Sequence, residues 1–166
     1  KFAHRSIMEF LFVKRFVSPG QTGELVVWTD QMKAFLREML VKRAVNVSFL
    51  ARVDLSDCRL PNTQLAGAGL RGANCASADL SGADLSKADL SQALLSSARL
   101  DGAVLKDAVL ARADLRNAFL TEARLGHADL SKAVLEGSNL TSAVLEGANL
   151  KESRVERAIL VDADMR

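Results

Sequence analysis

The chain has 166 residues, 22 Lys+Arg against 20 Asp+Glu, a formal net charge of +2, 49% apolar residues and 25% charged ones. That composition excludes a disordered, collagen-like or strongly polyanionic chain. No run approaches the roughly 18 apolar residues of a membrane span, so no membrane partner is expected.

Residues 1–45 form a first unit, read as a helical junction or cap with two helices. Its opening is apolar but charged throughout and has no small-residue cleavage site, unlike a signal peptide. Ser6 and Glu9 have capping-box spacing ahead of Phe10, Leu11 and Val13, which predicts a first helix. Ser18-Pro19-Gly20 reads as a turn, and Leu25–Trp28 as a short strand or buried link. Thr29 or Asp30 can cap a second helix, whose Met32, Phe35, Leu36, Met39 and Leu40 recur at i, i+3, i+4, i+7 and i+8. That stripe is expected to pack over the start of the next unit, near Leu50 and Leu55.

The stretch Phe2-Ala3-His4-Arg5-Ser6-Ile7-Met8-Glu9-Phe10-Leu11 resembles the segment that ends the helical part of many NACHT-type signalling NTPases of bacteria. In such proteins a repeat array often follows as the presumed sensor. The chain has no G-x-x-x-x-G-K-[ST] loop, so the resemblance implies an NTPase upstream of Lys1 and no nucleotide bound here.

Residues 46–166 form the second unit. From Leu50 to Met165 every fifth residue is apolar: 24 registers, all Leu except Cys75, Val155 and Met165. Two places earlier stands Ala, replaced only by Ser48, Val53, Cys58, Thr63, Ser138 and Ser153. On an α-helix a five-residue step turns each Leu by about 140° from the last, which leaves no stripe. On a flat strand an odd step alternates faces. The pattern is satisfied if the chain bends within every repeat and returns Leu and Ala to one interior. Six of the ten glycines fall two places after the central residue, where such a bend is needed: Gly67, Gly72, Gly82, Gly102, Gly137 and Gly147.

These repeats resemble the A(D/N)LXX motif of the pentapeptide-repeat family, as in Ala78-Asp79-Leu80, Ala83-Asp84-Leu85 and Ala148-Asn149-Leu150. The resemblance implies a mainly β fold: a right-handed quadrilateral parallel β-helix of about six coils, with four pentapeptides per coil. Its interior is expected to be filled, leaving no ligand cavity.

No constellation of residues points to catalysis, a metal or a cofactor, so a non-enzymatic module without small-molecule substrate is expected. His127 falls in an outward turn, and His4 reads as a packing or capping residue. Cys58 and Cys75 fall in inward registers without Cys-x-x-Cys spacing, and without a signal they read as reduced cytosolic thiols. Asp79, Asp84 and Asp89 lie on successive sides and cannot converge on a metal. Arg112, Arg116 and Arg124 suggest no continuous basic stripe with aromatics, which disfavours nucleic acid.

The residue just before the central Leu is apolar at Leu94, Val104, Val109, Phe119, Val134, Val144 and Ile159. If that position faces outward, these residues are candidates for a protein-binding or self-association surface. With no helix after Met165, an end-to-end dimer through the last coil is a further expectation. The favoured function is a cytoplasmic interaction scaffold or sensor. The alternative is a DNA-mimicking gyrase-interacting protein of the quinolone-resistance type. That role calls for a markedly acidic surface, whereas residues 46–166 carry 14 basic and 16 acidic side chains.

Overall fold

The computed structural model describes residues 30–41, 47 and 50–166. The first expected helix, the turn around Pro19, the 25–28 segment and the NACHT-like stretch lie outside the described residues. Helix α1 is Asp30–Val41. Leu36, Met39 and Leu40 are buried on one side of it, while Ala34, Arg37, Glu38 and Val41 are exposed. Leu36 and Leu40 belong to the same apolar cluster as Leu50 and Leu55. Met32 and Phe35, which complete the stripe in sequence, have side chains outside the described set.

From Leu50 on, the chain repeats one five-residue conformation. The two residues after each central position form a turn, and the residue before it makes a single parallel bridge. Bridges join positions twenty apart, from Asp54↔Asn74 to Val144↔Asp164. A pairing distance of twenty with a turn every five makes each coil four-sided. Each side is only one bridge residue long, so no extended strand forms among the described residues. A turn every five residues leaves no room for a longer one.

Where Asp or Asn precedes the central Leu, the hydrogen bonds account for every amide of the repeat. In Leu85–Asp89, the Leu85 amide donates to the Val104 carbonyl (2.8 Å) and the Lys87 amide to Lys106 (2.9 Å). Ala88 closes the turn by donating to Leu85 (3.0 Å), and Asp89 donates back to Ala68 (2.9 Å). The fifth amide, Ser86, donates to the Asp84 carboxylate at 3.0 Å. Three of these five bonds cross to a neighbouring coil, so a coil is stable only as part of a stack.

The turn explains the glycines. Every second turn residue has a left-handed backbone, with φ of +55° to +67° from Arg52 to Asp162. A positive φ at that place, with a hydrogen bond closing the four-residue turn, is the signature of a type II turn. Glycine adopts it freely, as at Gly82 and Gly102 (φ +65° and +64°). Elsewhere Lys, Arg, Asp, Asn, Ser, Gln, Glu and His adopt it, and no β-branched residue does.

Leucine and alanine layers alternate through the interior, and from Ala68 to Leu135 nearly all are 0–1% exposed. Each Leu so buried contributes roughly 1.5–3 kcal/mol. The polar substitutes in the alanine layer satisfy themselves locally. The Thr63 and Ser138 hydroxyls donate to the carbonyls of Leu60 (2.8 Å) and Leu135 (2.7 Å), three residues back. Toward the end of the array Val155, Leu160 and Met165 are 43%, 38% and 55% exposed.

Candidate partner-binding surface

With the interior filled, the surface consists of four walls, each led by its bridge residues, and four corners formed by the turns. Ten of the 23 wall residues from Asp54 to Asp164 are Asp or Asn, and the structure gives them a task that the spacing alone did not show. The carboxylate or amide oxygen accepts the amide two residues on, an Asx turn. The acceptors include Asp79 for Ser81 (3.1 Å), Asp89 for Ser91 (2.9 Å) and Asn139 for Thr141 (3.0 Å). Where serine or threonine follows, its hydroxyl adds a second bond, as Ser86 to Asp84 at 2.7 Å. The D/N of the motif thus serves the one amide that neither the coil-to-coil ladder nor the turn-closing bond satisfies. The signal in the sequence was the pairing of Asp before the central Leu with Ser after it.

These bonds shape the local electrostatics. The Ser81 hydroxyl, helped by the Ser81 amide and by Arg99 and Arg59, holds Asp79 below the usual carboxylate range against the opposing desolvation. Arg116 does the same for Asp114 by a two-point guanidinium contact, at 2.8 and 2.5 Å. Ser131 lowers Asp129, and Arg166 brings Asp164 down to about 2. Cys75 is pushed the other way, up to about 12, first by burial and then by Cys58 and Asp54. At that value it is a thiol at neutral pH, not a nucleophile. Cys58 is also buried. His127 sits at a corner, exposed, with φ of +58°. His4 lies outside the described residues.

The seven apolar wall residues do face outward. Leu94, Val109, Phe119, Val144 and Ile159 are exposed, and Val104 and Val134 are half-buried. The bridges distribute them over all four walls. Leu94 and Val134 share one wall with Asp114 between them, and Phe119 and Ile159 share the next with Asn139 between them. Val104 and Val144 flank Arg124 on the third, and Val109 stands on the fourth between Asp89 and Asp129. The structure therefore brings them together only as spaced pairs, not as one patch. An open depression beside Phe119 is lined by Arg99, Asp101, Gly102, Thr121 and Glu122. Among the described residues no three His, Cys, Asp or Glu side chains are grouped to hold a metal, and no helix is long and apolar enough to cross a membrane.

The family model described as pentapeptide repeats matches residues 50–86, 88–126, 118–157 and 128–166. No curated protein matches the chain. Among solved structures, the chain is similar to HetL of the cyanobacterium Nostoc, a pentapeptide repeat protein involved in heterocyst differentiation regulation. Identity is 30%, covering 69% of this chain and 70% of that one, with a TM-score of 0.41. A second Nostoc pentapeptide repeat protein shares 34% identity over 71% of this chain and 94% of its own, with a TM-score of 0.39. A third, from the thylakoid lumen of Arabidopsis thaliana, shares 28% identity over 70% and 68%, with a TM-score of 0.43. With the matched segments spanning most of the described rod, the chain belongs to the pentapeptide-repeat family.

Proposed function

We propose that this chain is a non-enzymatic protein-interaction scaffold or sensor: a right-handed rod of about six coils, with α1 covering its first coil through Leu36, Met39 and Leu40. The observation that carries the reading is the division of labour within the repeat. The interior is occupied by Leu and Ala, and the variable side chains stand on a lattice of walls and corners held by backbone bonds. Such a surface binds a partner with little ordering cost.

The favoured setting is the cytoplasmic, C-terminal part of a bacterial NACHT-like NTPase, supported by the Phe2–Leu11 resemblance. A reading frame upstream of Lys1 that encodes a phosphate-binding loop supports that setting, and a different upstream domain removes it. The DNA-mimicking alternative is not adopted, because residues 46–166 balance 14 basic against 16 acidic side chains rather than carrying a dense negative charge.

The partner is another protein, or a second copy meeting the exposed Val155, Leu160 and Met165 end to end. The double variant Phe119→Asp/Val134→Asp changes outward side chains on two adjoining walls. It is expected to keep the wild-type melting temperature within a few degrees while weakening protein association, read by light scattering and by co-purification with the native partner. Unchanged association removes these walls as the interface.

A further inference from the structure

The turns stack as strictly as the walls, and this brings together basic residues that are far apart in sequence. One corner is followed from coil to coil by five amide-to-carbonyl bonds: Arg52 to Arg71, Gly72 to Ser91, Gln92 to Ala111, Arg112 to Ser131 and Lys132 to Lys151, each 2.9–3.0 Å. The turn residues along this line include Arg52, Arg71, Arg112, Lys132 and Lys151, all exposed. Glu152, which meets Lys132 at 3.4 Å, is its one acidic member. Half a coil away, the corner that runs through Asn62, Gly82, Gly102, Glu122 and Ser142 carries Asp101, Glu122 and Asp162 and no basic residue. The rod is thus polarised across its width, although the array as a whole is nearly neutral.

We infer that the Arg52–Lys151 corner is a docking edge for an extended acidic peptide segment of a partner protein. The inference rests on the interaction-scaffold reading above and names the edge and the partner's chemistry. At about 4.8 Å per coil, five steps give an edge roughly 24 Å long. An extended segment of about seven or eight residues spans it and turns about four side chains toward it. The long Arg and Lys side chains absorb the mismatch between the two spacings. The walls on either side decide against wider polyanions. Asp54 and Asp114 lie on one wall and Asp89 and Asp129 on the other, so the positive line is one side chain wide except at its last coil, where Arg154 joins it from the first of these walls. A nucleic-acid duplex or an anionic bilayer presses phosphates onto both walls at once and meets those carboxylates, whereas a single peptide strand laid along the corner meets five cations and one carboxylate, Glu152, which is already paired with Lys132. Leu94, 47% exposed beside the gap at Gln92, offers an apolar contact midway.

The test titrates the full 166-residue chain with a fluorescein-labelled twelve-residue peptide of alternating Glu and Thr. Oligothymidylate of equal length and phosphatidylserine vesicles serve as the other arms. Peptide binding is expected to weaken with salt and to fall at least tenfold in Arg112→Glu/Lys132→Glu. It is expected to stay within twofold in Lys87→Glu/Lys106→Glu, the same charge change on a neighbouring corner. Equal losses in both double variants, tighter binding of the oligonucleotide or vesicles than of the peptide, or no peptide binding would each overturn the edge. If Phe119→Asp/Val134→Asp abolishes peptide binding and Arg112→Glu/Lys132→Glu does not, the edge is refuted while the scaffold reading stands. Unchanged protein association in the wall variants refutes the wall surface separately.

Discussion

Along the inner wall, 24 successive registers hold almost nothing but leucine. At the corners, the second turn residue is drawn from nine residue types between Arg52 and Asp162, all with one backbone conformation. Both regions repeat with the same period and are locked by the same ladder, yet one tolerates almost no variation and the other a great deal. The difference is in what each asks of a side chain. The interior asks for volume, because an Ala and Leu layer fills a square section without voids. The corner asks only that the residue accept a left-handed φ, and it leaves charge and length free. Information for partners can therefore be written at the corners and walls without disturbing the fold.

The largest effect sharpens that contrast at adjoining sites. Leu110 is 0% exposed at mid-stack, and Lys106 is exposed at the turn before it. Leu110→Asp buries a carboxylate without a partner and is expected to cost more than about 4 kcal/mol, unfolding the array. Lys106→Asp is expected to stay within about 0.5 kcal/mol of wild type. Circular dichroism melts check both, and equal melting temperatures would break the assignment of inside and outside.

A smaller effect separates the two demands within one corner. Gly102 has φ of +64° and open space around an added Cβ, so Gly102→Ala reads the backbone cost alone, about 1–2 kcal/mol. Gly82→Ala adds a collision of the Cβ with the Asn62 side-chain oxygen and is expected to cost more. Two coils above Gly82, Glu122→Gly relieves the strain of a non-glycine residue at +58° and is expected to stabilise by up to about 1 kcal/mol. Denaturant midpoints rank the three, and a loss of stability in Glu122→Gly would show that its side chain contributes more than its backbone costs.

Much of this was legible before any coordinates. A five-residue apolar period fits neither helix nor flat strand, so bending and an enclosed interior followed from the spacing, and the six glycines marked the bends. The α1 stripe at Leu36, Met39 and Leu40 was equally plain. Two things were not legible. The length of the paired segments was one, because periodicity places a residue inside or outside but does not say how many consecutive residues pair, and each side pairs through a single bridge. The corners were unreadable because their neighbours are twenty residues apart. Arg112 looked isolated beside Arg116 and Arg124, and only the coil length puts it in line with Arg71 and Lys132. That length came from family resemblance at first, and the bridges then supplied it directly.

The walls give a third, weaker contrast, between residues that cap an amide and residues that do not. Asp89 accepts both the Ser91 amide at 2.9 Å and its hydroxyl at 2.5 Å. Asp89→Ala is expected to cost about 1 kcal/mol. Val104 occupies the matching place before Leu105 but has no acceptor for the Lys106 amide. Val104→Asn supplies one and is expected to gain a few tenths of a kcal/mol, provided the apolar side chain contributes little where it stands. Paired urea titrations check the two signs. A gain in Asp89→Ala would mean that water serves the Ser91 amide as well as the carboxylate does.

The same caps set the smallest effect, visible only in acid. Asp79, Asp114 and Asp129 have folded-state pKa values below their ordinary one. For a depressed carboxylate the contribution to stability is fully present above the unfolded pKa, about 3.9, and is lost as pH falls through the lower folded value. Stability is therefore expected to be unaffected by these groups from pH 8 to about 5 and to decline below about pH 4. Because the carboxylates are only half-buried at the surface, screening keeps each contribution small. Asp114→Asn keeps an acceptor for the Arg116 amide but removes the charge facing its guanidinium. It is expected to lose that small contribution at pH 7 and none at pH 3, and so to flatten the acid decline slightly, read from urea midpoints at pH 7, 4 and 3. An unaltered slope between pH 4 and 3 in that variant would assign the acid sensitivity to carboxylates elsewhere than the walls.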